Sequence, residues 1–209
     1  MSIGAIFITS FFVALSGALM PGPLLTVTIA YSLKKGFWAG PLVILGHMVL
    51  EIVLLLGIIF GMGQFLQNDL LIRIIFLAGG MILITMGYHF IKTFKKTNLK
   101  KDGSSRVKIA GHPVIGGILV SLSNPYWTIW WVTIGLAYVM KSIPYKFWGV
   151  SAFFSGHILA DLLWYSLVSF FFGKGKQFVS EKIYHMILLG CGIFLALFGI
   201  YFFISGIRH

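Results

Sequence analysis

Two histidine–carboxylate pairs are the side chains in this sequence best suited to proton chemistry. His47 lies four residues before Glu51, and His157 lies four residues before Asp161. Residues four apart share one face of a helix, so each imidazole can reach its carboxylate. A pair of this kind can share a proton and titrate near neutral pH, which suits a proton-coupled transporter. A hydrogen-bonded structural pair that fixes one helix to its neighbour fits the same spacing, and both interpretations stay open.

Both carboxylates lie deep inside apolar segments, unlike the other three acidic residues of the chain. Glu51 comes about twelve residues after the predicted start of its helix near Ala39, which is about 18 Å along the helix axis. An ionised carboxylate at that depth costs several kcal/mol unless it is paired or hydrated. Glu51 and Asp161 are therefore candidate proton carriers, with His47 and His157 beside them.

The composition of the chain that carries these pairs is typical of a membrane protein. Of its 209 residues, 58% are hydrophobic and 10% are charged, whereas about a quarter of an ordinary soluble domain is charged. A helix crosses a bilayer with about 20 apolar residues, and six segments qualify. They are residues 3–33, 39–65, 70–91, 114–140, 147–172 and 184–207. The sequence predicts an all-α polytopic membrane protein with six transmembrane helices and excludes a soluble enzyme.

The sixteen basic residues indicate the orientation. Seven of them lie between Lys92 and Lys108, and twelve fall on one side of the predicted membrane against four on the other. Cytoplasmic loops carry the excess of lysine and arginine. We therefore expect a plasma (inner) membrane protein with both termini outside and no nucleic-acid binding, despite the net charge of +11. Residues 95–112 form the basic cytoplasmic loop between two three-helix units, 1–94 and 113–209.

The two halves repeat a common pattern at an offset of 110 residues. Phe37-Trp38 corresponds to Phe147-Trp148, Gly46-His47 to Gly156-His157, Glu51 to Asp161, and, with a two-residue slip, Gly80 and Gly87 to Gly192 and Gly199. Because each half has an odd number of spans, the second half must be inverted relative to the first. Inverted three-helix repeats are typical of transporters, which bind their solute near the midplane between the repeats.

The first helix of each half is interrupted. Pro21-Gly22-Pro23 lies inside the first apolar segment, and Asn124-Pro125 takes a similar place in the fourth. Proline removes a backbone donor and clashes with the preceding turn. Freed backbone groups at membrane depth require protein or a water-filled cavity around them. A lone proline would indicate a simple kink, but two breaks at corresponding positions favour a solute-binding site at Pro21, Gly22, Pro23, Asn124 and Pro125.

The aromatic residues and the single cysteine carry less functional information. Trp127, Trp130 and Trp131 follow the second break, and lipid-facing packing is favoured over a pathway lining for them. Cys191 stands alone in an apolar segment. It cannot form an intrachain disulfide or a multi-cysteine metal site.

These motifs resemble those of the LysE/RhtB family of bacterial and archaeal amino-acid exporters. The resemblance rests on Pro21-Gly22-Pro23, on Ser123-Asn124-Pro125, on Lys34-Lys35-Gly36, on six hydrophobic segments and on the basic central loop, and it covers essentially the whole chain. It implies a secondary exporter that moves amino acids or related small polar metabolites outward against proton entry. The family's second motif often continues Asn-Pro-Lys, whereas Tyr126 follows Pro125 here, so a role of that lysine does not carry over.

Other functions fit the sequence less well. Membrane thiol–disulfide carriers of similar fold need a cysteine pair in the broken helices, which this chain lacks. A divalent metal (cadmium-type) exporter is the alternative, because the His47/Glu51 and His157/Asp161 pairs supply nitrogen and oxygen ligands. A non-transporting membrane scaffold ranks last because it gives no reason for buried carboxylates. We expect a small-molecule substrate, protons and membrane lipids as partners and no cofactor, and we leave a homodimer open.

Overall fold

The computed structural model describes residues 1–20, 22–61, 68–94, 112–175 and 180–208, whose regular structure is helical throughout. The helices are α1 (Ile3–Ala18), α2 (Pro23–Lys35), α3 (Ala39–Ile59), α4 (Asp69–Thr93), α5 (Pro113–Leu122), α6 (Pro125–Trp130), α7 (Leu136–Ser142), α8 (Lys146–Gly175) and α9 (Glu181–Arg208). A π-helical turn, Trp131–Gly135, joins α6 to α7, and a 3-10 turn, Ile143–Tyr145, joins α7 to α8. The predicted basic loop lies outside the described residues except for His112.

Several of these helices are long and apolar enough to cross a membrane. Within the described ranges, four helical stretches meet that criterion, and the bent pair α1–α2 makes a fifth. The four are Ala39–Ile59, Arg73–Lys92, Tyr126–Lys174 and Glu181–Arg208. Large apolar side chains such as Phe12, Val53 and Phe171 are more than 60% exposed on the outside of the helices. Apolar surface of this extent suits lipid, so the chain is a multi-pass membrane protein.

The 49-residue helical stretch among these four turns back on itself. Lys146 begins α8 with a φ of +52°, which interrupts the helix after the 3-10 turn. Beyond the turn, Tyr138 stacks on Phe153 with 5.5 Å between ring centroids, and Gly149 lies against the carbonyl oxygen of Ser142. From one contact to the next, the residue number before the turn rises while that of its partner after the turn falls. The segments before and after the turn therefore pack as an antiparallel helical hairpin.

The chain leaves the helical conformation at both predicted breaks. Helices α1 and α2 meet at an angle of 75°, where Gly22 is extended and Pro23 begins α2. At the second break Asn124 is extended and caps α6, because its side-chain oxygen accepts a 3.1 Å hydrogen bond from the Tyr126 N–H. Proline is tolerated in the first turn of a helix, where its missing N–H would have no intrahelical partner.

Glycines let helices from the two halves approach closely. A Cβ atom at Gly80 would lie 2.7 Å from the carbonyl oxygen of Gly199, and one at Gly87 would lie 2.6 Å from that of Gly192. These contacts make α4 and α9 antiparallel neighbours. Any side chain at these positions would push the backbones apart, so the glycines set the spacing of the pair.

Two further close contacts cross between the halves. Gly46 on α3 lies against the backbone of α5 at Val114, and Gly156 on α8 lies against the backbone of α1 at Phe7. Gly46 and Gly156 are the glycines that correspond at the 110-residue offset. Each half therefore packs the helix that carries its histidine–carboxylate pair against the first helix of the other half.

Candidate functional site

A cavity of about 160 Å³ connects both helix breaks with the histidine–carboxylate pairs. Gly22, Pro23 and Asn124 contribute to its lining, as do all four members of the two pairs. The other lining residues are Ala14, Gly17, Ala18, Met20, Leu24, Ser121, Tyr126, Trp127, Trp130, Tyr165 and Phe198. Met20 and Tyr126 are 46% and 47% exposed, and the Tyr126 hydroxyl lies 2.9 Å from the Met20 sulfur. We call these two residues the rim of the cavity.

The two predicted pairs form one buried group, which we call the His–carboxylate cluster (His47, Glu51, His157 and Asp161). His47 Nε2 lies 3.0 Å from Glu51 Oε1 and 3.6 Å from Asp161 Oδ2. His157 Nε2 lies 3.0 Å from Glu51 Oε2 and 3.4 Å from Asp161 Oδ2. Each imidazole therefore contacts the carboxylate of its own helix and that of the opposite half.

Glu51 is held by indole donors that the sequence analysis did not anticipate. Its Oε1 accepts hydrogen bonds from the indole N–H of Trp127 at 3.0 Å and of Trp131 at 2.8 Å. The expectation of lipid-facing packing is wrong for these tryptophans, because Trp131 is fully buried and Trp127 lines the cavity. It is wrong for Trp130 as well, whose ring lies 4.6 Å from the His157 ring between centroids.

The two indole donors determine where Glu51 can carry a proton. An indole N–H donates and cannot accept, so Oε1 must act as an acceptor. Any proton on Glu51 therefore resides on Oε2, which lies 3.0 Å from His157 Nε2. The contact between Glu51 and His157 thus joins two titratable groups of opposite halves within hydrogen-bond distance.

Asp161 has fewer partners than Glu51. No described residue donates a hydrogen bond to its Oδ2, and the imidazole nitrogens at 3.4 and 3.6 Å lie beyond the usual N–H···O distance. The residue is 5% exposed and lines the cavity. A buried acceptor without a donor costs free energy, and water or a solute in the cavity can supply the donor.

The two imidazoles also differ in their second nitrogen. His47 Nδ1 lies 2.7 Å from the Ser121 hydroxyl oxygen on α5, which fixes the orientation of that ring. Within the described part of the chain, His157 Nδ1 has no hydrogen-bond partner. His47 is therefore the better anchored of the two histidines.

The predicted solute-binding residues have different places in the structure. Gly22, Pro23 and Asn124 border the cavity. The side-chain oxygen of Asn124 caps α6, which leaves its amide NH₂ group as the part that can donate to a solute. Pro125 begins α6 beside it, and Pro21 lies outside the described residues.

One sequence signal could have identified the indole donors. Trp127 and Trp131 are four residues apart, so a helix places both on one face just after the second break. The contributions of Ser121, Tyr165 and Phe198 to the cavity have no comparable signal, because single residues of these types are common in apolar helices.

The cluster also has the composition of a metal site. Each member offers one ligand atom, and these four atoms lie within 4.8 Å of one another in a buried position. Two imidazole nitrogens and two carboxylate oxygens suit a divalent transition metal such as zinc. The Ser121 contact to His47 Nδ1 would orient that ligand in the way that outer-shell hydrogen bonds commonly do.

Comparison with known proteins gives a family and one curated relative. The model of the family described as "LysE type translocator" matches residues 15–206. A Bacillus subtilis (strain 168) protein named "Putative amino acid efflux protein YcgF" is 28% identical over 207 residues, which cover 98% of each chain. No solved structure matches the chain.

Proposed function

Because the chain belongs to the LysE-type translocator family, we propose that it exports amino acids or related small polar metabolites in exchange for protons. The observation that carries this proposal is the cavity, which joins residues of both helix breaks to the buried His–carboxylate cluster. A solute in that cavity would contact freed backbone groups and a proton-binding group at once. The name of the Bacillus relative, an amino acid efflux protein, supports the same class of substrate.

Gly22, Pro23 and Asn124 are the proposed solute contacts, with Pro21 and Pro125 opening the helices around them. Broken helices in transporters expose backbone groups and helix ends that bind polar solutes. The extended conformation of Gly22 and Asn124 beside the cavity supports this role. Because the prolines remove N–H groups, the solute would face mainly carbonyl oxygens, the Asn124 amide and the start of α2.

The cluster is the proposed proton carrier. Asp161 lines the cavity and its Oδ2 lacks a donor among the described residues, so a proton and an ammonium group can compete for this carboxylate. Competition for one site is what an antiporter needs, because the site is then occupied by the solute in one direction and by a proton in the other. Glu51, His47 and His157 extend the proton-binding group across the interface between the halves.

The proposed architecture is six transmembrane segments in two inverted three-helix repeats, residues 1–94 and 113–209, around the loop 95–112. Three features support it. The corresponding helices α4 and α9 run antiparallel, and the corresponding glycines Gly46 and Gly156 pack against the first helix of the opposite half. The hairpin of α7 and α8 supports two crossings within the stretch Tyr126–Lys174.

The proposed orientation has the basic loop in the cytoplasm and both termini outside. It can be tested by labelling single cysteines with a membrane-impermeable maleimide in a Cys191→Ala background. A cysteine at Asp69, the first residue of α4, should react in intact cells, whereas one at Ser180, just before α9, should react only after permeabilisation. The reverse result would invert the proposed topology.

The export proposal is tested by profiling metabolites in the medium of cells that express the chain. We expect one or a few amino acids to accumulate outside with the intact protein and not with the Asn124→Ala/Asp161→Asn double variant. Asp69→Asn is the matched control, because it removes an exposed carboxylate that does not line the cavity. Equal amino-acid profiles for the intact protein and the double variant, at equal expression in the membrane, would contradict the proposal.

Export of a divalent metal is the second candidate, and the four converging ligand atoms of the cluster favour it specifically. In that case the cells would contain less cadmium or zinc when they express the intact protein. A His47→Ala/His157→Ala variant should restore the metal content, while the amino-acid profile of the medium stays unchanged in all strains. The same set of strains therefore separates the two candidates.

A further inference from the structure

We infer that the cavity selects single amino acids with uncharged, apolar side chains over those with charged side chains. This inference rests on the proposed export function and names the substrate class for the same site. The evidence is the distribution of charge in the cavity: both carboxylates lie in the buried cluster, and the remaining lining is largely apolar or aromatic. Among the described residues, the lining contains no lysine or arginine.

The ammonium group of an amino acid has one clear partner. Asp161 borders the cavity, and its Oδ2 is a buried acceptor without a hydrogen-bond donor among the described residues. An ammonium group supplies three donors. An ammonium group bound at Asp161 would donate a hydrogen bond to Oδ2 and would place the solute next to the proposed proton-binding carboxylate.

The carboxylate of the same amino acid has a partner at the first helix break. Helix α2 begins beside the cavity at Gly22, and no side chain caps this N-terminus. The first backbone N–H groups of a helix have no intrahelical partner, and the helix dipole favours a negative group near them. Leu24, in the first turn of α2, also lines the cavity.

The side chain of the solute would then lie between the cluster and the rim. Trp130, Phe198 and Leu24 supply an apolar and aromatic surface there, and Met20 and Tyr126 form the rim. A second ammonium group, as in lysine, or a second carboxylate, as in glutamate, would find no oppositely charged partner among the described residues in this part. Burying an unpaired charge is much more costly than burying an apolar group.

The size of the cavity restricts the solute further. Its volume of about 160 Å³ is close to that of an engineered cavity of roughly 150 Å³ that holds a benzene molecule. A single amino acid is compatible with that space, whereas a peptide would require the rim to open widely. The inference therefore concerns single amino acids such as valine, leucine, isoleucine, methionine and phenylalanine.

The test uses the purified full chain in proteoliposomes loaded with an equimolar mixture of the twenty amino acids. Efflux of each amino acid is followed after the outside is made acidic. We expect an apolar amino acid to leave fastest, at least roughly tenfold faster than lysine, arginine, aspartate or glutamate, as expected when an analogue leaves buried charge unpaired. Efflux of a charged amino acid within tenfold of the fastest, or efflux of polar uncharged ones alone, would overturn the inference.

The same experiment separates this inference from the proposed function. Retention of all twenty amino acids, by vesicles that hold correctly folded protein, would contradict export itself. A shifted preference, in contrast, would contradict only the substrate class. The two failures therefore give different patterns.

A variant at the rim supplies a second, independent measurement. Met20→Glu would place a carboxylate where the side chain of the solute is expected to end. Met20→Gln is the matched control of equal size without the charge. We expect Met20→Glu to increase lysine efflux at least roughly tenfold over Met20→Gln, because the second ammonium group gains a partner. Unchanged lysine efflux in a Met20→Glu protein that still exports leucine would overturn the proposed placement of the side chain.

Discussion

The two halves carry the same spacing of histidine and carboxylate but place the two carboxylates in different surroundings. Glu51 is fully buried and accepts hydrogen bonds from two indole N–H groups and contacts from both imidazoles. Asp161 shares the imidazoles at longer distances, and its Oδ2 has no donor among the described residues. One half therefore holds its carboxylate firmly, while the other half leaves a carboxylate oxygen without a hydrogen-bond donor among the described residues.

This difference shows how a repeated sequence can serve two roles. The tryptophans that donate to Glu51 follow the second break, and the first break has apolar residues with no such donors at the same place. Glu51 thus joins α3 to the broken helix of the other half, whereas we propose that Asp161 exchanges its partner. We expect substitutions at the two positions to have different consequences, and the largest is expected in stability.

Replacing Glu51 by leucine should destabilise the protein far more than replacing Asp161 by leucine. Glu51→Leu leaves the indole N–H groups of Trp127 and Trp131 without an acceptor, at about 1–3 kcal/mol for each buried donor. Asp161→Leu removes a carboxylate whose Oδ2 has no hydrogen-bond donor among the described residues and whose imidazole contacts are longer, so its cost should be smaller. Thermal unfolding in detergent measures the difference, and equal losses of Tm would contradict the asymmetry.

Neutral, nearly isosteric variants should reverse this order when transport is measured, so that the change at Asp161 has the larger effect on efflux. Lowering the external pH should increase efflux by the intact protein, because protons enter as the solute leaves. Asp161→Asn should reduce that response roughly a hundredfold, which corresponds to about 2.7 kcal/mol, because the cavity loses its proton-binding oxygen. Glu51→Gln keeps an acceptor for both indoles and should reduce the response only about tenfold.

Efflux from proteoliposomes under an imposed pH gradient provides the measurement, with Asp69→Asn as the control. An Asp161→Asn protein that remains folded and still responds fully to the gradient would remove Asp161 from proton coupling. A greater loss with Glu51→Gln than with Asp161→Asn would reverse the comparison and make Glu51 the exchanging group.

The sequence predicts the components of the site better than their arrangement. Proline chemistry identifies both breaks, and the four-residue spacing identifies both pairs on their helices. The 110-residue offset suggests that the pairs are related, but their meeting in one cluster depends on how α3 and α8 pack. That packing depends on close glycine contacts such as Gly40 against Ser169, whose partners no local pattern reveals.

The indole donors illustrate the same limit. Apart from Thr128, the region of Trp127 to Trp131 is apolar or aromatic on every side, so hydrophobic periodicity does not distinguish the face toward lipid from the face toward α3. The rotation of α6 about its axis decides which tryptophans reach Glu51. The break at Asn124 and the π-helical turn that begins at Trp131 both influence this rotation. Packing against the neighbouring helices is also needed to fix it.

The indole hydrogen bonds can be separated from indole packing by phenylalanine substitutions. Trp131→Phe keeps an aromatic ring but removes a donor to Glu51, and a hydrogen bond to a charged group contributes about 1.5–3 kcal/mol. Trp130→Phe is the matched control, because that ring lies against His157 and does not donate to Glu51 in the described structure. Chemical denaturation should show the larger loss for Trp131→Phe, and an equal loss would assign its contribution to packing alone.

The smallest expected effect on stability comes from removing the hydrogen-bond partner of Nδ1 in His47, the nitrogen that has no partner in His157 among the described residues. Ser121→Ala removes the hydroxyl that contacts His47 Nδ1, which makes His47 resemble His157. A single buried hydrogen bond contributes about 1 kcal/mol, so the Tm should fall by a few degrees, as is typical for that energy in a chain of this length. The external pH at which efflux is half-maximal should also shift, because the free His47 ring can reorient within the cluster. Ser123→Ala, which removes only a bond to a backbone carbonyl within α5, should leave that pH unchanged. An equal shift in both variants would show that Ser121 acts through the helix and not through His47.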